Sequence, residues 1–176
     1  SVTLRNLELF GNIRDGGKSG TLFELMDRTG TPMGSRTMRS WLAKPLLDLK
    51  DINARLDSIE FLLANRPISS EIREHLGDAR DLERLLARSI QGSANARDIS
   101  AIADTLAIIP RVKGAMKGDI PKLLGEIHTD LDPCQELVLE ISKAIADEPP
   151  VGVREGGMIR QGYDAQLDEF RDDGGD

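Results

Sequence analysis

Apolar residues recur at every third or fourth position through most of this chain, and Pro, Gly and capping residues interrupt them at short intervals. The clearest case is Leu49, Ile52, Leu56, Ile59 and Leu63. Only a helical period keeps these side chains on one face, so the pattern specifies a series of short amphipathic helices. It also excludes a parallel α/β sheet, which would need apolar strands alternating with helices. With 39% hydrophobic and only 3% aromatic residues, the core has to be built from Leu, Ile, Val, Ala and Met. The expected fold class is mainly α: an irregular multi-helix bundle with short β segments near both ends.

The boundaries follow from local chemistry. Thr21 and Glu24 suggest a capping box opening TLFELMDRT, a short helix ended by Gly30. Thr31 caps the next helix with Pro32 at its first position, where a missing N–H costs nothing. Gly34, Thr37 or Met38, Trp41 and Leu42 recur on one face of it. Gly34 and Ser35 are poor helix formers, Gly by about 1 kcal/mol relative to Ala. Small residues there imply another backbone crossing the first turn closely, with Trp41 filling the space beyond. Pro45 ends this helix, Asp48 or Asp51 starts the next, and Asn65-Arg66-Pro67 stops that one.

SSEIREHLG and DLERLLARSI are further short helices, closed by Gly77 and Gly92. The stripe Ile99, Ile102, Leu106, Ile109 and Met116 continues past Pro110 and predicts a long helix kinked there, with a break as the alternative. Asp119 and Pro121 open a helix through Ile127, and Asp132-Pro133 caps one that carries Leu137, Val138, Ile141 and Ile145.

The two ends read differently. VTLRNLELF (2–10) alternates like an extended segment, and PPVGVREGGMIRQGYD (149–164) resembles a hairpin with Gly156 and Gly157 supplying its turn. A helix restarts at Asp164. This divides the chain into a strand and loop over about 1–20, a helical core over 21–147, a β-hairpin over 148–163 and the start of a helix over 164–176. Residue 1 is Ser rather than Met and the chain stops at FRDDGGD, so it reads as a piece of a longer polypeptide.

Candidate chemistry is sparse. NIRDGGKSGT (12–21) approaches the phosphate-binding pattern G-x-x-x-x-G-K-[ST], with Lys18-Ser19 before a helix. The first glycine should stand at position 12, which is Asn12; Gly11 is one residue early. The loop is therefore expected to be an ordinary exposed one. His75, His128 and Cys134 lie far apart, and neither His has a second ligand at helical spacing. The mixed cluster of Asp78, Asp81 and Glu83 with Arg80, Arg84 and Arg88 reads as a solvated helix surface. No catalytic, cofactor-binding or metal-ligating residue is assigned. A single cysteine fits a reducing compartment, no run of about 20 apolar residues suits a membrane, and no signal peptide opens the chain. A cytoplasmic location is expected. The net charge of −7 argues against independent DNA binding, which depends on Lys and Arg displacing counterions from phosphates.

Four segments together carry a family resemblance: RNLELF, TPMGSRTMRSWLAKPLLD, DLERLLAR and PPVGVREGGMIRQGYDAQLDEFR. In order and spacing the chain resembles the core (lever) region of the MutS family of DNA mismatch-repair ATPases. The resemblance implies a helical core that follows a connector domain and leads into lever helices carrying a clamp around DNA, with the helix from Asp164 as the base of the outgoing lever. It also implies ATP and magnesium, mismatched double-stranded DNA, a MutL-like repair partner and homodimerisation for the parent protein. The Phe-x-Glu mismatch-reading motif, the clamp and the Walker motifs are absent from these 176 residues. The residues expected to matter are structural: Pro32, Gly34 and Trp41 at a helix crossing, Arg36 beside them pairing with an acidic neighbour, and Gly156 and Gly157 at the turn. The function expected is mechanical coupling between DNA and ATPase sites. The alternatives are a stand-alone helical protein-interaction module and, if the 12–19 loop held nucleotide, a small enzyme.

Overall fold

The computed structural model describes residues 7–173. It is mainly helical and divides into two compact units, each built from two stretches of chain.

The first unit comprises Ser1–Gly77 and Arg111–Leu131. A loop leads into α1 (Leu22–Met26), then α2 (Pro32–Ala43), α3 (Leu49–Ala64) and α4 (Arg66–Gly77). After an excursion through the second unit the chain adds α8 (Lys122–Asp130), and α3 packs against both α4 and α8. The caps are those the side chains dictate. Thr21, Thr31 and Asp48 each accept a backbone N–H in the first turn of the helix that follows. Glu24 accepts from the Gly20 N–H at 2.7 Å, one residue before the cap, so the expected reciprocal box is shifted by one position. Pro67 does not separate two helices by a loop. The Asn65 Nδ2 donates back to the Phe61 carbonyl at 2.9 Å, and α4 starts at once with Pro67 in its first turn.

The second unit comprises Asp78–Pro110 and Asp132–Asp176. It holds α5 (Leu82–Ile90), α6 (Ala96–Ala107), α9 (Gln135–Ala144) and α10 (Ala165–Asp173), with α6 packed against α5 and α9. Leu85, Ile102 and Leu106 form its buried centre, and Leu82, Ile99, Ile109, Cys134 and Val138 pack around them. Asn95 and Asp98 make a complete capping box at the start of α6, and Asp98 also pairs with Arg88 at 3.0 Å. The long kinked helix is instead two helices. The first ends at Ala107, and α7 (Ile109–Ala115) restarts with Pro110 in its opening turn, where the ring has no hydrogen bond to break. Cys134, at φ +46°, precedes α9, and the Asp132 carboxylate accepts its N–H at 2.8 Å.

The short β segments expected near both ends are not there among the described residues. At the first end, residues 2–6 of the expected strand lie outside the described residues, and residues 7–10 form a turn and bends. Glu8 adopts φ +47°, which breaks the extended alternation. The Glu8 and Leu9 carbonyls then accept the N–H groups of Leu22 and Phe23 at the start of α1. At the other end the hairpin is replaced by a 3₁₀ turn, Val153–Glu155. The Gly152 N–H donates to Glu155 Oε1 at 2.8 Å, curling the chain that should have been the first strand. Gly156 and Gly157 both take left-handed φ values, +71° and +72°. The chain leaving them makes a single antiparallel bridge, Ile159 with Ile145 at the end of α9.

Candidate functional site

Two joints, one in each unit, account for most of the residues that the sequence marks as unusual. In the first unit the joint lies at the start of α2. A Cβ on Gly34 would stand 3.1 Å from Thr31 Oγ1 and 3.2 Å from Thr29 Cβ, so the close neighbour of this glycine is the loop entering its own helix. Ser35 donates to Asp27 Oδ2, while Thr29 donates to Asp27 Oδ1 through its hydroxyl at 2.6 Å and its N–H at 3.2 Å. These bonds, the one from Ser35 first, hold the Asp27 carboxyl below its ordinary range. Gly and Ser in a first helical turn thus have a shared cause: the 27–31 loop folds back onto α2 and is pinned there.

Further along α2, the Arg39 guanidinium lies 4.2 Å from the centre of the Phe10 ring and 5.6 Å from that of Phe23, and the two rings meet edge-on at 5.9 Å. Trp41 is 45% exposed, and the Arg55 guanidinium from α3 covers its ring at 3.7 Å. Pro32 occupies the first position of α2, and Arg36 is exposed. Asp27 and Arg39 were not singled out from the sequence. The signal for Asp27 was the run of hydroxyls around it.

In the second unit the joint is a strap, residues 145–163, between α9 and α10. Its main chain closes on itself and on the end of α9: the Ala146 N–H donates to the Met158 carbonyl within the strap at 2.9 Å, and the Arg160 N–H to the Ala144 carbonyl of α9 at 2.8 Å. Arg160 then forks onto Asp147 at 2.7 and 3.0 Å and donates through Nε to the Ser142 carbonyl at 3.1 Å. The fork holds Asp147 below its ordinary range and Arg160 above its own. The Tyr163 hydroxyl donates to Glu140 on α9 at 2.6 Å, and the carboxylate beside it raises the phenol pKa. On the far side, the Gly162 N–H donates to Asp168 at 2.7 Å and Arg171 to the Ile159 carbonyl at 2.9 Å, both residues on α10. α10 buries none of its residues, and Phe170 is 75% exposed. Polar bonds through the strap therefore set its direction.

The phosphate-loop look-alike is folded in on itself. The N–H groups of Asn12, Asp15, Gly16, Gly17 and Gly20 donate to the Gly17 carbonyl, Asn12 Oδ1, the Asn12 carbonyl, Asp15 Oδ1 and Glu24 Oε2. A phosphate cradle needs such donors aimed at the ligand. His75 sits in the last turn of α4 beside Glu71 at 3.8 Å, and His128 in the last turn of α8. Among the described residues no three His, Cys, Asp or Glu side chains converge on a possible metal position, and no helix is long and apolar enough to cross a membrane.

A chain built of capped short helices, with a Gly-Ser helix start and an REGG…GYD strap, is a specific arrangement, and comparison with known proteins identifies it. Residues 2–172 match the family model for MutS domain III, and the chain belongs to that family. It is 45% identical over 98% of its length to the DNA mismatch repair protein MutS of Methanosarcina barkeri, and 44% identical over 97% to that of Methanothrix thermoacetophila. To the MutS of Halothermothrix orenii it is 42% identical over 97% of its length. The chain spans about a fifth of the length of these relatives, 19% or 20% in each case.

Proposed function

We propose that this chain is a structural coupling domain of a DNA mismatch repair protein, relaying changes between the part of the longer polypeptide that holds mismatched DNA and the part that hydrolyses ATP. On this reading it carries out no reaction. ATP and magnesium are held elsewhere in the longer protein, as are the DNA, any MutL-like partner and the contacts of a homodimer. The observation that supports the reading best is the strap: α10 has no fully buried residue, yet it bonds to the strap through Asp168 and Arg171, and the strap bonds to α9 through its main chain, Arg160 and Tyr163. A force on α10 would thus reach α9 and the core of its unit rather than dissipate in a flexible linker. Packed elements with discrete hydrogen-bonded arrangements are the kind that can switch between states and couple two ligands.

The test uses the longer MutS polypeptide that contains this region. Arg160→Leu, or Gly34→Leu in the other unit, should leave basal ATP hydrolysis and DNA affinity near their original values while weakening the control of hydrolysis by mismatched DNA. Titration calorimetry of ATP into the 176-residue chain should give no heat of binding. Intact DNA control in both stably folded variants would refute the reading.

A further inference from the structure

Charge is divided unevenly along this chain. The first unit carries 15 Lys and Arg against 13 Asp and Glu, and the second 8 against 17. The net −7 that argues against contact with DNA therefore comes from the second unit. The arginines are also used differently. In the second unit Arg88, Arg160 and Arg171 pair with Asp98, Asp147 and Asp168 at 3.0, 2.7 and 3.0 Å. In the first, Arg28, Arg66 and Arg73 are exposed and reach no carboxylate among the described residues. Arg28 donates to the Glu24 and Asp27 carbonyls at 3.3 Å, and Arg73 to the Arg28 carbonyl at 2.9 Å, which holds the end of α1 against α4. Arg66, Ser69, Ser70 and Arg73 share one face of α4, with the two arginines about 10 Å apart along its axis. Together with Leu62 of α3 they line a groove of about 380 Å³.

We propose that this face of the first unit is a secondary seat for the sugar–phosphate backbone of double-stranded DNA, outside the part of the longer protein that holds the mismatch. The inference rests on the reading above that the longer protein holds DNA. Arginine forks and serine hydroxyls are the side chains that meet phosphate oxygens, and here no acidic group stands opposite the arginines. Between Arg66 and Arg73 stand serines rather than the apolar anchor that a protein segment needs. A phosphodiester chain needs only the row of donors and a unit without excess negative charge. Phosphate contacts carry no sequence information, so the seat holds matched and mismatched duplexes alike. It adds to the other DNA contacts of the longer protein instead of replacing them, because the chain as a whole stays acidic.

The experiment is a fluorescence anisotropy titration of the longer MutS polypeptide with labelled duplex DNA, matched or mismatched, over a series of NaCl concentrations. Each phosphate contact contributes about 0.9 to the slope of log affinity against log salt. Arg66→Ala with Arg73→Ala should flatten that slope by about 2 on both duplexes and weaken both by the same factor. Arg66→Ala alone should flatten it by about 1, and it serves if the Arg73 bond to Arg28 proves necessary for folding. Arg66→Lys with Arg73→Lys should keep most of the slope, because lysine still meets phosphate as a point charge. An unchanged slope in the folded alanine variants would overturn the proposal, and a lowered thermal midpoint beside it would favour an acidic protein segment. Loss confined to the mismatched duplex would also overturn it. So would displacement of the duplex by inorganic phosphate at constant ionic strength, which marks a site for the free ion. A longer protein with no affinity for DNA rejects the reading beneath the proposal; affinity with an unchanged slope rejects this seat alone.

Discussion

The two units solve the same problem in different ways. The second unit surrounds Leu85, Ile102 and Leu106 with apolar neighbours and then straps its last helix on with polar bonds. The first leaves much of its aliphatic surface in water, including Leu47 at 92% exposure, and ties its helices with an Asp27 node and two cation–π stacks. The difference teaches that an apolar stripe specifies a helix without specifying what will cover it. One unit is apolar inside and polar at its joint; the other leaves Leu49, Leu56, Ile59 and Leu63 of α3 exposed.

The sole Trp lies in the first unit and the sole Tyr in the second, so fluorescence can follow each during urea unfolding. The largest contrast is expected for leucine truncation. Leu106→Ala should cost about 2–5 kcal/mol on the Tyr163 signal, because it empties a buried site. Leu56→Ala should stay within about 0.5 kcal/mol on the Trp41 signal, as for other exposed positions. Equal costs would erase the comparison.

Next is the α2 joint. Gly34→Leu places a side chain against Thr29 and Thr31 and should destabilise the first unit by about 1–3 kcal/mol, with no change in the second. Removing the Thr31 cap as Thr31→Ala should cost about 1 kcal/mol on the same signal.

The smallest effects separate the units by acid. Ser35 and Thr29 hold Asp27, and Arg160 holds Asp147, below the ordinary carboxyl value of 3.8. Each carboxylate therefore contributes stability above pH 3.8 that is lost as pH falls through its lower folded value. Asp27→Asn should flatten the acid limb of the Trp41 curve alone, and Asp147→Asn that of the Tyr163 curve alone.

Helix positions were legible in the sequence because capping acts over three residues: Thr31 and Pro32 mark α2, and of the two candidates Asp48 and Asp51 it is Asp48 that caps α3. Pro110 misled only in detail, since a proline continues a stripe equally well inside a kink or in the first turn of a new helix. The β segments were misread for a physical reason. Alternating Leu7 and Leu9 looks extended, but Glu8 turns to positive φ to serve α1, and no local signal reveals that service. Gly34 and Ser35 suggested a crossing backbone, but the atoms nearest Gly34 are side chains of Thr29 and Thr31 in the loop entering α2, and Asp27 as the partner of Ser35 was not legible because that bond spans eight residues. The Arg160 fork closes over 13 residues and was invisible for the same reason.

The relay account depends on α10 being fixed to α9 through the strap. Nitroxide labels at Lys143→Cys and Glu169→Cys, in a Cys134→Ser background, report that relation directly by pulsed dipolar spectroscopy. The account predicts one narrow distance distribution, broadened when Arg160→Leu is added. A broad distribution before that substitution, or an unaltered narrow one after it, would contradict it.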